Sequence, residues 1–195
     1  MTDALVTLLV EGGAVSPQAL AQAQARQREQ GGALDTALLE LRLLPEEQLT
    51  LFLARAARLP AAPAAALLAP DSRARRLFPA KVAERHGLAP FRLDGKELHV
   101  AACHPVDQAA LDEISFMLSL PLVAHVAPEL RIRELQRAIY GITLGERFAR
   151  LSGVLAEAPI EASPPHVPPP APAPPPRDPI TLPGLGPPPV PSPAS

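Results

Sequence analysis

The side chains most able to do chemistry are histidines and a single cysteine, and they are spread along the chain. No two histidines stand at i and i+4, and none has an acidic residue at the spacing that zinc sites use. We therefore expect ordinary structural histidines and no metal. Cys103 ends a predicted strand of small residues, which favours a buried thiol over a reactive one. The five histidines are His86, His99, His104, His125 and His166.

No set of residues suggests covalent or acid–base catalysis. Ser115 and Ser152 lack the sequence context of a nucleophile elbow. Asp112 and Glu113 are adjacent on a predicted helix, where neighbouring side chains diverge. The chain has no Gly-x4-Gly-Lys-[Ser/Thr] phosphate loop, and Gly145-Glu146-Arg147 is only a fragment of glycine-rich sequence. We expect no catalytic residues and no ATP hydrolysis, so the chain is predicted not to be an enzyme.

The charge balance gives no general attraction to polyanions. The formal net charge is −2 and the isoelectric point is about 6.2, which argues against nucleic acid as a partner. Arg73, Arg75 and Arg76 form one basic cluster. A solvated helix face is the simpler interpretation, and contact with an acidic partner or a phosphate is the alternative.

Length and composition indicate a folded protein of one or two domains. The 195 residues are 47% hydrophobic, enough to bury a core. No basic region follows Met1, and no apolar run approaches the roughly 18 residues of a membrane span. We expect a cytoplasmic protein that does not insert into the membrane.

The elements that would position a site divide into three parts. Residues 1–60 have helical periodicity, residues 61–78 form an Ala/Pro-rich connector, and residues 79–150 have mixed periodicity. Within 79–150 the order is α-β-β-α-β-α, with a hairpin turn at Asp94-Gly95. The predicted class is therefore α+β: an all-helical N-terminal part followed by a small α/β lobe.

A proline-rich tail is predicted over residues 151–195. Composition changes near Ala158, and 17 of the 27 prolines follow it. Proline removes backbone donors and fixes φ, so we expect a disordered segment rich in polyproline II. It is interpreted as a spacer, with a ligand for an aromatic groove as the alternative.

The first sixty residues contain an internal repeat. The pattern Leu-x3-Leu-x3-Gly-x-Val-x4-Leu begins at Leu5, and the similar pattern Leu-x3-Leu-x3-Arg-x-Leu-x4-Leu begins at Leu34, with every matched pair 29 residues apart. Two helical hairpins whose apolar faces pack together would explain it, since neither hairpin can bury its own face alone.

This tandem repeat resembles the MshEN domain, the N-terminal cyclic-di-GMP-binding region of type II secretion and type IV pilus ATPases. That family's pattern is Arg-Leu-Gly-x2-Leu-x3-Gly-x-Ile-x4-Leu-x6-Gln in two copies with a five-residue spacer. The copies here would be residues 4–27 and 33–56. The small lobe is similar to the rest of that region, through cues such as Leu98-x-Val100-Ala101 and Ile139-Tyr140-Gly141.

The sequence departs from the family motif where cations are expected. Ala4 and Ala33 replace its arginines, Val6 and Asp35 its first glycines, and Arg42 and Ala56 other positions of the second copy. Alanine cannot stack on guanine or pair with phosphate as a guanidinium does. Arg26, Arg28 or Arg55 could substitute. If cyclic-di-GMP is bound, the resemblance implies these contact residues: Leu5, Leu9, Gly13, Val15, Leu20, Gln27, Leu34, Leu38, Leu44 and Leu49.

Three functions remain open at this level. The first is a non-catalytic adaptor of a type II secretion or type IV pilus-like apparatus that binds a protein partner and has no cofactor. The second is a cyclic-di-GMP receptor that uses the degenerate repeat. The third is a regulator whose lobe acts beside signalling domains on other chains. The oligomeric state is not indicated.

Overall fold

The computed structural model describes residues 4–157, which contain ten helices and three strands. The predicted tail from residue 158 onward lies outside the described residues. The first four helices are α1 (Ala4–Glu11), α2 (Pro17–Gln30), α3 (Leu34–Glu40) and α4 (Glu46–Ala57). The others are α5 (Ala64–Leu68), α6 (Ser72–Leu77), α7 (Ala80–His86), α8 (Gln108–Leu118), α9 (Glu129–Tyr140) and α10 (Glu146–Glu157). The strands are β1 (Leu88–Asp94), β2 (Glu97–Ala102) and β3 (Leu122–Val126). This arrangement confirms the α+β class.

The turn between the two helices of each hairpin has the same geometry in both copies. Gly13 has φ +63° and donates its N–H to Val10, and Arg42 has φ +50° and donates to Leu39. Arginine thus adopts the left-handed conformation that glycine takes in the first copy, where most side chains are strained. The two copies pack in pairs, α1 against α4 and α2 against α3.

Local capping sets the helix starts. Ser16 precedes α2 and accepts a hydrogen bond from the Ala19 N–H at 3.2 Å, and Pro17 opens that helix as predicted. Pro45 occupies the N-cap position of α4 rather than its first turn, so that helix starts one residue later than predicted. Glu46 and Glu47 then lie at the positive end of the helix.

The small sheet has the order β1-β2-β3. β1 and β2 form the predicted antiparallel hairpin, with Gly95 at φ +56° in the turn. β2 and β3 are parallel, and α8 provides the crossover between them. The sheet carries apolar residues on both sides, because α7 and α8 contribute to one core cluster and α9 packs against the other.

Two segments differ from the predicted boundaries. The connector 61–78 contains α5 and α6, and it is tied to the sheet because Asp71 N donates to the Phe91 carbonyl at 2.8 Å. The tail predicted from residue 151 begins inside α10, and Leu151 is buried. Alanine and proline content obscured α5, and the adjoining proline tract obscured the amphipathic pattern of α10.

The helical repeat and the lobe share a core. Val126 at the end of β3, Leu130 of α9 and Leu151 of α10 join the same cluster as the repeat leucines. The described residues belong to one compact unit. The repeat is therefore held by the lobe and by α10 as well as by its own pairing.

Candidate functional site

The structure places the hydrophobic site residues of the repeat in its core. Each is at most 7% exposed, so in this structure they offer little surface to a ligand. They are Leu5, Leu9, Val15, Leu20, Leu34, Leu38, Leu44 and Leu49. Of the other two, Gly13 lies in the exposed turn after α1, and Gln27 is half-buried and donates from Nε2 to the Gly32 carbonyl at 3.1 Å. The site assignment itself stays a prediction.

A carboxylate of the lobe lies at the motif position that lacks its arginine. Glu129, the first residue of α9, accepts from the Ala33 N–H at 2.9 Å and from the Thr36 hydroxyl at 3.0 Å, both at Oε2. Its other oxygen pairs with Arg133 at 3.2 Å. The Glu129 side chain thereby caps the start of α3.

Asp35 returns the same contact to α9. Its Oδ2 accepts a hydrogen bond from the Glu129 N–H at 2.6 Å, so each helix is capped by a carboxylate from the other. We call this arrangement the reciprocal cap. Burial raises the pKa of Asp35 to about 6; the Glu129 charge adds to the rise, and hydrogen bonds from backbone N–H groups oppose it. Asp35 Oδ1 is buried without a hydrogen-bond partner.

Arg147 of α10 covers the junction between the two copies. Its Nη1 donates to the Gly31 carbonyl at 2.6 Å and to the Gln30 carbonyl at 3.3 Å. Its Nε and Nη2 pair with Glu40 of α3 at 2.6 and 3.0 Å. A Cβ placed on Gly32 would lie 3.2 Å from Arg147 Nη1 and 3.3 Å from Glu129 Oε2, so both side chains lie close to the loop between α2 and α3. A residue beyond the predicted repeat therefore occupies its junction.

The cations that could replace the motif arginines have different environments. Arg26 pairs with Glu40 at 3.1 Å, whereas Arg28 and Arg55 are exposed. Burial opposes ionisation of Glu40, but hydrogen bonds from Arg147 and Arg26 outweigh it and lower the pKa of Glu40. Glu40 therefore pairs with two guanidinium groups, those of Arg26 and Arg147.

A second candidate site is a groove between α4, α5 and α9, with a volume of about 530 Å³. Its floor is formed by alanines and leucines, and its rim carries Glu46, Glu47, Glu134 and Arg131. Arg131 pairs with Glu46 at 2.6 Å and with Glu134 at 2.7 Å. No pattern in the sequence indicated this groove, because its walls come from three separate segments of the chain. The apolar residues that line the groove are Ala62, Ala64, Leu67, Leu68, Ala127, Leu135 and Ala138, with Leu68 at its edge.

Two histidines that the sequence separates are neighbours in the sheet. His99 Nδ1 lies 3.0 Å from His125 Nε2, and Arg92 Nη2 lies 3.1 Å from His99 Nε2. Burial lowers the pKa of His125, and the nearby His99 and Arg92 lower it further. The pairing of β2 with β3 was the available signal for this contact. Among the described residues, no three histidine, cysteine or acidic side chains are arranged to hold a metal ion.

The remaining candidates have structural surroundings. Burial raises the pKa of the Cys103 thiol, which makes it a poor nucleophile. Ser115 donates to the Leu120 carbonyl at 2.9 Å and Ser152 bonds Glu134 on α9. Arg73 of the basic cluster is exposed and pairs with Asp71 at 2.8 Å. Within residues 4–157, no helix has the length and apolar character of a membrane span.

Comparison with known proteins connects this fold to one family. A family model described as the MshEN domain matches residues 57–146, from the end of α4 through the connector and most of the small lobe. The type IV pilus assembly ATPase PilB of Myxococcus xanthus (strain DK1622) is 34% identical over 135 residues. That match covers 69% of this chain and 24% of PilB, so the chain spans about a quarter of that relative.

Two solved structures share the architecture. A structure described as MshE with cdg, an abbreviation of cyclic-di-GMP, is 31% identical with a TM-score of 0.53. The match covers 70% of this chain and 98% of that one. The N-terminal domain of XpsE is 24% identical with a TM-score of 0.51, covering 71% of this chain and 94% of that one, and supports the fold alone.

Proposed function

Because this chain belongs to the MshEN domain family, found in the N-terminal regions of secretion and type IV pilus ATPases, we propose that it is a non-catalytic adaptor that binds a protein partner of such an apparatus. The proposal includes a cytoplasmic location, with attachment to the periphery of an inner-membrane complex. The absence of a phosphate-loop motif from its 195 residues supports a non-catalytic role.

The observation that carries the proposal is the chemistry at the start of the second repeat. Where the family motif has an arginine, this chain has Ala33, and its N–H is bonded to Glu129. Asp35 adds a second buried carboxyl group beside it. Two carboxyl groups at this position, without the motif arginine, favour neither the phosphates nor the guanine edges of a cyclic dinucleotide.

The magnitude of the lost contacts is large. Each charge-assisted hydrogen bond contributes about 1.5–3 kcal/mol, so the loss of two arginines lowers the affinity for a cyclic dinucleotide by roughly 100-fold or more. Arg147 does not restore the charge, since Glu40 and two carbonyl oxygens already hold it. The loss of these cationic contacts argues against a nucleotide ligand and therefore supports the proposed protein ligand.

Cyclic-di-GMP binding is the second candidate function. It is favoured by the 31% identity to MshE, whose structure is described with cdg. In that case Gln27 and the exposed Arg28 and Arg55 would make the polar contacts, since Gln27 closes the first copy of the motif. Gln27→Ala would then abolish binding while leaving the leucine core intact.

The adaptor proposal is tested by affinity capture of the full-length, tagged chain from the cells that make it. The expected result is co-purification, at near-stoichiometric amounts, of a structural component of a secretion or pilus apparatus. Capture that yields only unrelated abundant proteins, repeated after mild chemical crosslinking, contradicts the proposal.

A further inference from the structure

The groove between α4, α5 and α9 is open and largely apolar. Leu68 at its edge is 82% exposed, although it stands beside Leu67 and Leu135, which line the same groove. Leu68 and the groove, whose volume is about 530 Å³, therefore form one apolar surface that is exposed to solvent. The alanines of the floor keep the groove wide enough for large side chains.

The rim of the groove carries more negative than positive charge. Glu46 and Glu134 share Arg131, whose charge balances only one of them. Glu47 is exposed on the same rim. A partner with basic residues beside its apolar anchors therefore complements the groove, and an acidic partner is repelled.

The groove is walled by helices, and this limits the kinds of peptide that can bind in it. α4 and α9 line the groove with side chains and present no strand edge, so backbone pairing with an extended peptide has no support there. An amphipathic helix places anchors at i, i+3 or i+4 and i+7 on one face, which fits a groove of this kind.

We propose that this groove binds an amphipathic helix of a partner protein, with large apolar residues on one face and lysines or arginines beside them. The inference rests on the proposed adaptor function and specifies its partner. Leu68 and Leu67 contact the apolar anchors, and Glu47, Glu46 and Glu134 face the basic flanks.

The test is site-specific photocrosslinking of the full-length chain in the cells that make it. A photoreactive amino acid replaces Leu68 in one variant and Phe116 of α8, which is 88% exposed and outside the groove, in a matched control. We expect an adduct at Leu68. Its crosslinked segment, sequenced by mass spectrometry, should have apolar residues at helical spacing and a net positive charge. An acidic segment, a second copy of this chain, or no adduct at Leu68 overturns the inference.

A synthetic peptide of the crosslinked segment then gives the affinity by fluorescence anisotropy. Leu68→Glu and Glu47→Lys should each weaken binding at least about tenfold, and rising salt should weaken it further. Phe116→Glu and Glu97→Lys are matched controls on exposed residues outside the groove, and each should change affinity less than about twofold. Equal effects of the groove and control variants overturn the inference.

The outcomes separate this inference from the adaptor proposal. A protein adduct at Phe116 but not at Leu68 overturns the groove assignment and leaves protein binding supported. No adduct at either position, together with no apparatus component in the affinity capture, overturns both. Circular dichroism spectra that match the unmodified chain show that each variant is folded.

Discussion

At the scale of single residues, Asp35 and Glu129 join the helical repeat to the lobe. Each carboxylate bonds the backbone at the start of the other's helix, and both side chains are buried. Helix starts carry unpaired N–H groups and a positive dipole end, so a carboxyl oxygen that accepts hydrogen bonds there is stabilising, although for the charge of Asp35 the cost of burial is larger. Two carboxyl groups close together also repel each other when both are ionised, and that repulsion contributes to the raised pKa of Asp35.

The Asp35→Asn substitution should therefore change the pH dependence of stability. In the folded chain the pKa of Asp35, about 6, exceeds its ordinary value of 3.8, so protonation of Asp35 favours the folded state. This contribution to stability is fully present below pH 3.8 and is lost as the pH rises through 6. Asparagine keeps an acceptor for Glu129 N–H and carries no charge. The stability of the variant relative to the unmodified chain should rise by about 2–3 kcal/mol between pH 4 and pH 7.5.

Urea unfolding followed by circular dichroism at several pH values measures this difference. Taking the difference cancels groups common to both proteins, including His125, whose lowered pKa acts in the opposite direction. A difference that stays constant from pH 4 to pH 7.5 would show that Asp35 ionises normally and that its environment is not as described.

At the scale of elements, the repeat preserves a turn although its sequence has changed. Gly13 and Arg42 occupy the same position of the two copies with φ of +63° and +50°. The leucine pattern requires the same chain reversal in both copies, and the packing of α1 on α4 and of α2 on α3 imposes it. Packing thus prevails over the local preference of arginine.

Glycine-to-alanine substitutions at two positions should change the stability of the chain in opposite directions. A Cβ would meet nothing within 4 Å at Gly13 or at Gly153, so sterics contribute at neither. Gly13→Ala should destabilise the chain by about 1 kcal/mol because of its left-handed φ. Gly153→Ala, within helix α10, should stabilise by up to about 1 kcal/mol. Thermal unfolding measures both, and a shift of the same sign in the two variants contradicts the assigned backbone geometry.

Helix α10 is docked by Arg147 and Leu151. Arg147→Ala removes the pairing with Glu40 and the bonds to two carbonyl groups, whereas Arg150 is exposed and provides a matched control as Arg150→Ala. Loss of a half-buried charged network of this size should raise amide hydrogen exchange in α10 by about tenfold or more.

Hydrogen exchange with mass spectrometry on the full-length variants measures the effect. Exchange should also increase around Gly31 at the junction of the two repeat copies, because Arg147 donates to that carbonyl. Equal exchange in Arg147→Ala and Arg150→Ala would show that α10 is not held through this side chain.

At the scale of the whole molecule, periodicity and turn chemistry predicted most of the fold. The 29-residue repeat, the Asp94-Gly95 hairpin and the β-α-β step are local patterns, and each is found in the structure. The Asp35–Glu129 contact spans 94 residues and the Arg147–Glu40 contact 107, and no local pattern encodes such pairings. Both lie near the junction of the two repeat copies, so the sequence alone could identify the missing motif arginines but not the contacts that the lobe and α10 make there.

These long-range contacts also surround the repeat, where a ligand was predicted to bind. The buried leucines stabilise the fold, and the polar atoms beside them are already paired with the lobe and with α10. The groove between α4, α5 and α9 is formed by the packing of three separate segments. Both features are consistent with the proposed binding of a protein partner.

Isothermal titration of cyclic-di-GMP into the full-length chain tests this account most directly. A chain whose repeat junction is filled by its own Glu129 and Arg147 should give no saturable heat up to about 100 μM ligand. Saturable binding near 1 μM that Gln27→Ala abolishes would contradict the account and establish the repeat as a working nucleotide site.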